Sequence, residues 1–539
     1  MKNIPINLKS LLLNANKALS EKKYSEGKSI LEKINSINPN IFEVNYNLGI
    51  INLNLNNLDD ATINFEKSIK LKPKLSQVYF NLGLIFDKKK EFNLAIKNFL
   101  KVVEIDPNNS LAYYNLGSLY QEIFKRVEAE KYLKKSIDLN PKFLLAYNNL
   151  FDVYDRSNQL QKFKELLSEA KKKLDEKNLL NFYSGMYEYK NKNYKDAVKT
   201  LESIKLKENF FIQDIRKHGM LAKSYDFLND YEKAFNHFRL NNNLTSNFYG
   251  KNINEKIYLK YVSQRSEFFE NFKQSNWGTI SKTNDVNIPI FLIGFPRSGT
   301  TLLDTILRTN KFVEVIEEKP ILRNFLIKLE KKTKNNFSNL GNLDYEFIEE
   351  MRNFYFSERN KYTKNKNTKI IIDKLPLNII HIGEILRFFP NAKFILALRH
   401  PYDSVLSCFM QQFTLNPAMK NFLSIDSGAY LYNLVMSLWN IYTKNFSVNF
   451  HTIKYEDLVL NFEKETKKVF KYLELEWKDN IKDFHITAKN RTDISTPSYD
   501  QVTSPIYSRS ISRWNNYEKR FENAKKYLDK WVKKFNYNI

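Results

Sequence analysis

The sequence predicts two fold classes in one chain, a helical solenoid followed by an α/β domain with a central parallel sheet. In the first half, prolines recur every 34 residues at Pro39, Pro73, Pro107 and Pro141. In the second half, the apolar runs 288–293 and 393–398 each lead through a polar turn into an amphipathic pattern. Tandem helix pairs stack into a solenoid, and strand–turn–helix units build parallel sheets.

The positive charge of the chain does not by itself indicate a nucleic-acid partner. Lys and Arg exceed Asp and Glu by 25. However, of the 85 lysine and arginine residues, 69 are lysines and 16 are arginines, and these basic residues are spread along the whole chain. A nucleic-acid site would concentrate them in a patch or stripe. We therefore expect a solvated basic surface and no nucleic-acid partner.

The scarcity of cysteine and histidine argues against disulfides and metals. The single cysteine, Cys408, excludes an internal disulfide bond and a zinc site built from cysteines. The six histidines show no HxxxH or HExxH spacing. We therefore expect no metal site, and a reducing compartment fits the cysteine content.

The sequence shows no membrane or export signal. Residues 11–13 form the longest leucine run near the N-terminus, far shorter than the apolar core of a secretory signal. No apolar run approaches the roughly 18 residues that a membrane span requires. We expect a cytoplasmic protein with no transmembrane segment.

The repeats in the first half have the pattern of paired helices. Small residues recur with the 34-residue step at Gly49, Gly83 and Gly117 in the first helix and at Ala61, Ala95 and Ala129 in the second. They let two helices approach closely, and large apolar residues one turn later cover the same face. The pattern resembles the tetratricopeptide repeat, most strongly over 42–155, with weaker echoes to about 245.

The resemblance to tetratricopeptide repeats implies a superhelix with a concave groove. We expect the groove to bind an acceptor protein, another protein or a second copy of the chain, and the alternative is a spacer. The repeat pattern and its loss predict three regions: a repeat array at 1–245, a linker with a lead-in helix at 246–285, and a second domain at 286–539.

A glycine-rich turn follows the apolar run 288–293. It reads GFPRSGTT over 294–301. Small residues let successive N–H groups close on an anion, and a helix N-terminus adds its dipole, so the turn predicts a phosphate-binding loop. Its spacing also fits the GxxxxGK[ST] loop of nucleotide triphosphatases, except that Thr300 replaces the lysine and Arg297 supplies a cation inside the loop. A nucleotide-dependent kinase therefore stays an alternative.

A second strand and turn predict another anion contact. Arg399 directly follows the run 393–398, and Ser407 lies eight residues later on the predicted helix. Ligands collect at the carboxyl ends of strands in open α/β sheets, where a guanidinium fork and a hydroxyl can grip one phosphate. Because the chain uses lysine for bulk charge, Arg509 and Arg513 are further candidates for bidentate contacts.

Four segments of the second half carry a family resemblance. They are FLIGFPRSGTTLLDTIL, DKLPLNIIHIGEILRFFPNAKFILALRHPYDSVLS, IKYEDLV and PIYSRSISRWNNYEKR. In this order they resemble the motifs of the sulfotransferases that use 3'-phosphoadenosine 5'-phosphosulfate (PAPS), in the bacterial form fused to tetratricopeptide repeats. The protein-tyrosine sulfotransferases are more distantly similar. The resemblance covers about 286–525.

The resemblance implies PAPS as the donor substrate, adenosine 3',5'-bisphosphate as the product, and no metal. It assigns the 5'-phosphosulfate to the loop residues Arg297, Ser298, Gly299, Thr300 and Thr301. It assigns the 3'-phosphate to Arg399 and Ser407, and the adenosine to Tyr455. Arg509 and Arg513 fall in the segment that resembles the C-terminal donor loop of the family.

The resemblance also suggests a catalytic base. In the tyrosine enzymes the second glutamate of a Glu-Glu pair lies 21 residues after the loop arginine, and Glu318 has this distance from Arg297. We expect Glu318 to accept the proton of the acceptor hydroxyl; the alternative is that Glu317 and Glu318 form a solvated acidic pair. Arg297 and Lys374, the latter in a motif with a family lysine, are expected to stabilise charge on the leaving group.

The expected function is sulfonate transfer from PAPS to a hydroxyl or amine. Gln411, Lys319 and Ile321 differ from the tyrosine enzymes, which argues against a tyrosine acceptor. A saccharide, a lipid and a small hydroxyl compound remain open as acceptors, as does an acceptor protein. The rivals are the kinase and a repeat scaffold whose second domain has no catalytic role.

Overall fold

The chain divides by its internal contacts into two units. A computed structural model describes residues 6–272, 277, 288–365, 368–489 and 506–537. The units are Met1–Gln213 and Asp214–Ile539. The domain boundaries predicted at residues 245 and 285 are based on where the sequence loses its repeat pattern, and they stay predictions.

The first unit consists of helices that follow one another in pairs. They are α1 (Ile6–Ser20), α2 (Tyr24–Ile37), α3 (Phe42–Asn54), α4 (Leu58–Leu71), α5 (Ser76–Lys88), α6 (Phe92–Ile105), α7 (Ser110–Glu122), α8 (Arg126–Leu139), α9 (Leu144–Arg156), α10 (Leu160–Lys173), α11 (Lys177–Lys190) and α12 (Tyr194–Glu202). A short 3-10 segment, Glu208–Phe210, follows. The predicted helical solenoid is confirmed.

The turn inside each pair shows how far the repeat extends. A non-glycine residue with positive φ recurs every 34 residues at Lys22, Asn56, Lys90, Phe124, Asn158 and Lys192. The backbone therefore keeps the period over all six pairs of the described part of this unit. Few side chains are required at such a turn, so the backbone keeps the exact period in the first and last pairs, where the sequence pattern is weak.

The predicted small residues sit where two helices touch. A Cβ on Gly49 would lie 2.6 Å from Cε1 of Phe65, and one on Gly83 would lie 2.7 Å from Cζ of Phe99. Ala61 is completely buried beside them. The α3–α4 and α5–α6 pairs are thus each held by a phenylalanine side chain against a glycine backbone, a fit that leaves no space for an added methyl group.

The second unit begins in the first turn of α13, continues through two more helices, and then has α/β structure. Its helices are α13 (Phe211–Phe227), α14 (Tyr231–Tyr249), α15 (Lys256–Glu270), α16 (Thr300–Leu307), α17 (Ile321–Thr333), α18 (Tyr345–Asn360), α19 (Ile382–Phe388), α20 (Pro401–Phe409), α21 (Ile425–Asn445), α22 (Tyr455–Leu460), α23 (Phe462–Tyr472), α24 (Phe484–Lys489) and α25 (Lys525–Lys534). Within the described ranges, no helix of the chain has both the length and the apolar character that crossing a membrane requires.

A five-stranded parallel sheet forms the centre of this unit. Its strands are β1 (Ile290–Gly294), β2 (Val313–Glu317), β3 (Ile370–Lys374), β4 (Lys393–Leu398) and β5 (Asn449–Lys454). They are hydrogen-bonded in the order β2-β3-β1-β4-β5, and every neighbouring pair is parallel. β1 is buried along its whole length, as expected for a strand covered on both faces. The predicted parallel sheet is confirmed.

Helices α13 to α15 are packed into the second unit. Asn242 of α14 donates a hydrogen bond from Nδ2 to the carbonyl oxygen of Phe409 at 3.0 Å. Arg265 of α15 forms a buried ion pair with Glu384, with Nη2 2.8 Å from Oε1. Breaking a buried pair of this kind leaves an uncompensated charge and is strongly destabilising. These helices are therefore integral to the unit that contains the sheet.

Candidate functional site

A cavity of about 580 Å³ lies at the carboxyl edge of the sheet. Parallel strands place the residues that follow them along one edge, and ligands bind at this edge where the strand order reverses. Here the reversal lies between β1 and β4, which lead into the glycine-rich loop and into Arg399. The sequence-predicted residues that line the cavity are Arg297, Gly299, Thr300, Thr301, Glu318, Arg399, Ser407, Tyr455 and Arg513.

The loop after β1 has a backbone that its small residues make possible. A Cβ on Gly294 would collide with the carbonyl oxygen of Ala397 on β4. Gly299, which precedes α16, has φ +92°, and a Cβ there would lie 2.8 Å from Cδ2 of Tyr455. Arg297 also has a positive φ, 68°. Strained backbone of this kind concentrates at ligand sites, and the loop leads directly into a helix N-terminus, which favours an anion.

Arg297 and Arg399 converge on the loop from neighbouring strands. Arg297 donates from Nε to Oγ of Ser407 at 3.1 Å. Arg399 donates from Nη1 to the carbonyl oxygen of Arg297 at 3.1 Å and from Nη2 to that of Ser510 at 2.6 Å. Desolvation lowers the pKa of Arg297, and the positive charge of Arg399 acts in the same direction. Two guanidinium groups held this close create a strong local preference for an anion.

Two buried polar atoms beside the loop have no hydrogen-bond partner among the described residues. They are Nε of Arg399 and Oγ of Ser298. Buried donors are nearly always paired in folded proteins, with protein or with water. Of the two, Nε of Arg399 belongs to a side chain that lines the cavity, so a bound oxygen anion there would satisfy it. Ser298 itself is buried and does not line the cavity.

Tyr455 closes the cavity on the side of β5. Its ring packs against Gly299, and the Arg399 guanidinium lies over it with Cζ 5.0 Å from the ring centroid. Burial is the largest cause of the raised pKa of the Tyr455 hydroxyl. The aromatic face and the adjacent cation suit a flat ring that carries phosphate groups.

The two glutamates at the end of β2, Glu317 and Glu318, lie in different environments. Glu317 is the β3-paired partner of Lys374 and is buried, whereas Glu318 has φ +50° and lines the cavity. Nζ of Lys374 lies 3.2 Å from Oε1 of each glutamate. Lys374 is completely buried and does not line the cavity. In this geometry it orients the two carboxylates, and its predicted contact with the leaving group stays a prediction.

Arg509 and Arg513 share a partner that the sequence analysis missed. Asp226 near the end of α13 lies 3.2 Å from Nη2 of Arg509 and 2.7 Å from Nη2 of Arg513. Arg513 lines the cavity, whereas Arg509 is exposed outside it. No local motif marks Asp226, because its partners lie more than 280 residues further along the chain.

Other lining residues also lacked a sequence signal. Arg323, Gln412 and Asn416 line the cavity, as does Lys319, which the resemblance had marked only as a departure. The turn after α20 brings in Gln412 and Asn416, and such turns follow no spacing rule. In the described part of the chain, no group of three or more His, Cys, Asp or Glu side chains is placed to hold a metal ion.

Family models match both halves of the chain. Residues 289–479 match the model described as sulfotransferase family. Residues 42–75, 76–109 and 98–129 match models described as tetratricopeptide repeat. The chain therefore contains tetratricopeptide repeats followed by a sulfotransferase-family domain, as the resemblance implied.

Several curated proteins are similar over the same domain. An uncharacterized protein of Aquifex aeolicus (strain VF5) is 28% identical over 242 residues, which is 43% of this chain and 31% of that protein. Protein-tyrosine sulfotransferase 1 of Danio rerio is 25% identical over 241 residues, 42% of this chain and 65% of that protein. Protein-tyrosine sulfotransferase 2 of Gallus gallus is 24% identical over 242 residues, 42% of this chain and 62% of that protein. This chain thus spans less than two thirds of the length of each of these relatives.

Among solved structures, the crystal structure of MamA protein is similar to part of the chain. It is 22% identical, and the match covers 31% of this chain and 93% of that chain with a TM-score of 0.29.

Proposed function

We propose that the second unit transfers a sulfonate group from PAPS to a hydroxyl or amine acceptor. The observation that carries the proposal is the convergence of two cationic anion-binding elements, the Arg297 loop and the Arg399–Ser407 pair, on one cavity. The sulfotransferase-family match and the similarity to enzymes named protein-tyrosine sulfotransferases support it.

The residues around the cavity fit a donor with two separated anionic groups. Arg297, Thr300 and Thr301 would hold the 5'-phosphosulfate together with the loop N–H groups. Arg399 and Ser407 would hold the 3'-phosphate, since Nε of Arg399 is buried without a partner among the described residues. The ring of Tyr455 would pack beside the adenosine. The cavity volume of about 580 Å³ lies in the usual range for ligand sites.

The transfer requires one proton acceptor and stabilisation of one leaving group. The acceptor oxygen forms a bond to sulfur while the bond from sulfur to the bridging phosphate oxygen breaks. The electron pair of the broken bond goes to adenosine 3',5'-bisphosphate, and Glu318 takes the acceptor's proton. Arg297 stabilises the charge that develops on the leaving phosphate. Lys374 fixes the orientation of Glu318 through its hydrogen bond.

The acceptor class stays open in this proposal. A protein, a saccharide and a small hydroxyl compound are all compatible with a cavity edge formed by Lys319, Arg323 and Asn416. The tetratricopeptide repeats add a protein-binding role: they would recruit an acceptor protein, another partner or a second copy of the chain.

Calorimetric titration with nucleotides tests the donor. We expect adenosine 3',5'-bisphosphate to bind without magnesium and much more tightly than AMP or ATP. Arg399→Ala removes a charge-assisted phosphate contact of roughly 1.5 to 3 kcal/mol and should weaken binding about tenfold or more. Arg520→Ala is the matched control, because Arg520 pairs with Glu232 and does not line the cavity.

Two outcomes would contradict the donor assignment. Equal affinity for AMP would mean that no site for a 3'-phosphate exists. Tighter binding of ATP with magnesium would support the kinase alternative instead.

A further inference from the structure

The C-terminal segment that contains Arg513 is attached to the core on two sides. The carbonyl oxygen of Ser510 accepts the hydrogen bond from Arg399 Nη2 at 2.6 Å. The N–H of Trp514 donates to Oδ1 of the buried Asp403 at 2.9 Å. Arg513 lies between these attachments and lines the donor cavity. Its backbone is therefore fixed at the cavity wall, and its side chain needs a separate partner to fix its direction.

Asp226 is that partner. It is buried near the C-terminal end of α13 and accepts hydrogen bonds from Tyr517 Oη at 2.6 Å and Arg513 Nε at 3.3 Å. Arg509 donates to both its carboxylate and its carbonyl oxygen, each at 3.2 Å, and stacks on Phe227 with Cζ 3.7 Å from the ring centroid.

A buried carboxylate at this position is energetically unfavourable unless neighbouring cations and hydrogen bonds compensate its charge. A negative charge near the C-terminal end of a helix opposes the helix dipole. Burying it also removes its hydration, which must be replaced by hydrogen bonds. Three side chains of the C-terminal segment supply them. The cluster therefore retains a net positive charge, two guanidinium groups against one carboxylate, next to the cavity.

The contact uses only one edge of the Arg513 guanidinium. Nε and Nη2 face the carboxylate of Asp226, and Nη1 has no partner among the described residues. A guanidinium has five N–H donors in a fixed plane, so holding one edge determines where the remaining donors point. We infer that Asp226 is a positioning residue of the donor site, which holds Arg513 so that its free edge meets a phosphate or sulfonate oxygen. This inference rests on the proposed function.

Asp226 would connect the donor site to a helix whose sequence weakly resembles the repeats. Asp226 lies in the 1–245 range that the sequence pattern assigned to the repeat array, yet α13 packs in the second unit. The donor cavity would then depend on a helix outside the 289–479 family match.

Calorimetry with adenosine 3',5'-bisphosphate on the full chain tests this role. Asp226→Asn keeps the shape of the side chain and removes its charge, and it should weaken binding about three- to tenfold. Arg513→Ala should weaken binding about tenfold or more. In the double variant, the Asp226 change should have no further effect, because a positioning residue acts through the residue that it positions. A merely structural role would give additive losses.

A second ion pair provides the matched control. Glu232 of α14 pairs with Arg520 of the same C-terminal segment, and neither lines the cavity. Glu232→Gln should therefore leave the affinity within about twofold of the wild type.

Several results would overturn the inference. They are unchanged or tighter binding by Asp226→Asn, an additive double variant, or an equal loss in Glu232→Gln. Because the Arg513 side chain is 25% exposed, Arg513→Ala should fold even if Asp226→Asn does not, and unchanged affinity in Arg513→Ala alone also overturns the inference. Failure of the proposed function gives a different pattern: the wild type does not bind the bisphosphate, or Arg399→Ala binds it as tightly as the wild type.

Discussion

Replacement of Glu318 by glutamine should separate chemistry from donor binding. Glutamine keeps the size of the side chain and an oxygen that can accept the hydrogen bond from Lys374, which is 3.2 Å long. A general base contributes about 10² to 10⁴ in rate, or about 2.7 to 5.4 kcal/mol of transition-state stabilisation. The ion pair itself contributes about 1 kcal/mol or less to folding, because solvent screens the partly exposed Glu318. Turnover should therefore fall by orders of magnitude while donor affinity changes only a few fold.

Glu317→Gln is the matched control for Glu318→Gln. Glu317 contacts the same lysine at the same distance, 3.2 Å, but is buried and does not line the cavity. Its loss leaves a buried cation less well compensated, so it should lower the melting temperature more than it lowers turnover.

The assay for this pair follows PAPS consumption with an acceptor-containing cell extract, with the nucleotide product separated by chromatography. Donor affinity is measured in parallel by calorimetry. If Glu317→Gln abolishes turnover and Glu318→Gln does not, the assigned base is wrong by one residue. If both variants keep full turnover, neither carboxylate is the base.

Three further predictions concern the loop, the boundary and the sheet. Gly299→Ala forces a Cβ against Tyr455 at φ +92°, so it should weaken bisphosphate binding about tenfold; unchanged calorimetry would contradict the loop assignment. A protein starting at residue 211 should keep donor binding. One starting at 254 lacks Asp226 and also the packing of α14 against Phe409, so it should bind the bisphosphate at least about three- to tenfold more weakly; equal affinities would refute this. Unchanged turnover of the longer protein on the natural acceptor would exclude recruitment by the repeats. Burial raises the pKa of Asp373 to about 7, above its unfolded value of about 3.9. Between these pH values only the folded chain holds the proton on Asp373, so the free energy of unfolding falls as the pH rises. Asp373→Asn should therefore make the melting temperature depend less on pH over this range, and an unchanged pH dependence would disprove this assignment.

The repeats were predictable because their signals are local. A glycine in one helix and an aromatic residue in the next, such as Gly83 and Phe99, make a contact that is visible as a fixed spacing. The positive-φ turn at Asn158 or Lys192 keeps the same period with no required side chain. The sequence pattern is therefore strong only over 42–155, whereas the backbone period is equally regular from Lys22 to Lys192.

The donor side of the site was predictable for a topological reason. In a parallel sheet, Arg297 after β1 and Arg399 after β4 must lie at the same edge, and neighbouring strands bring them into contact. The position of Lys374 could not be derived this way, because pairing of β2 with β3 decides that it contacts the two glutamates. The contacts of Asp226 could not be predicted from the sequence, because they depend on how α13 packs against a distant C-terminal segment.

Transfer of labelled sulfonate tests the central claim, that the second unit uses PAPS as a sulfonate donor, most directly. The purified full chain is incubated with PAPS labelled on sulfur, a metabolite or lysate extract, and a metal chelator. We predict that label appears in an acceptor in equal amount to the adenosine 3',5'-bisphosphate formed, and that Glu318→Gln and Arg399→Ala each suppress it. Absence of label transfer by a wild-type protein that binds the bisphosphate would contradict the account, and so would phosphate transfer from ATP with magnesium in its place.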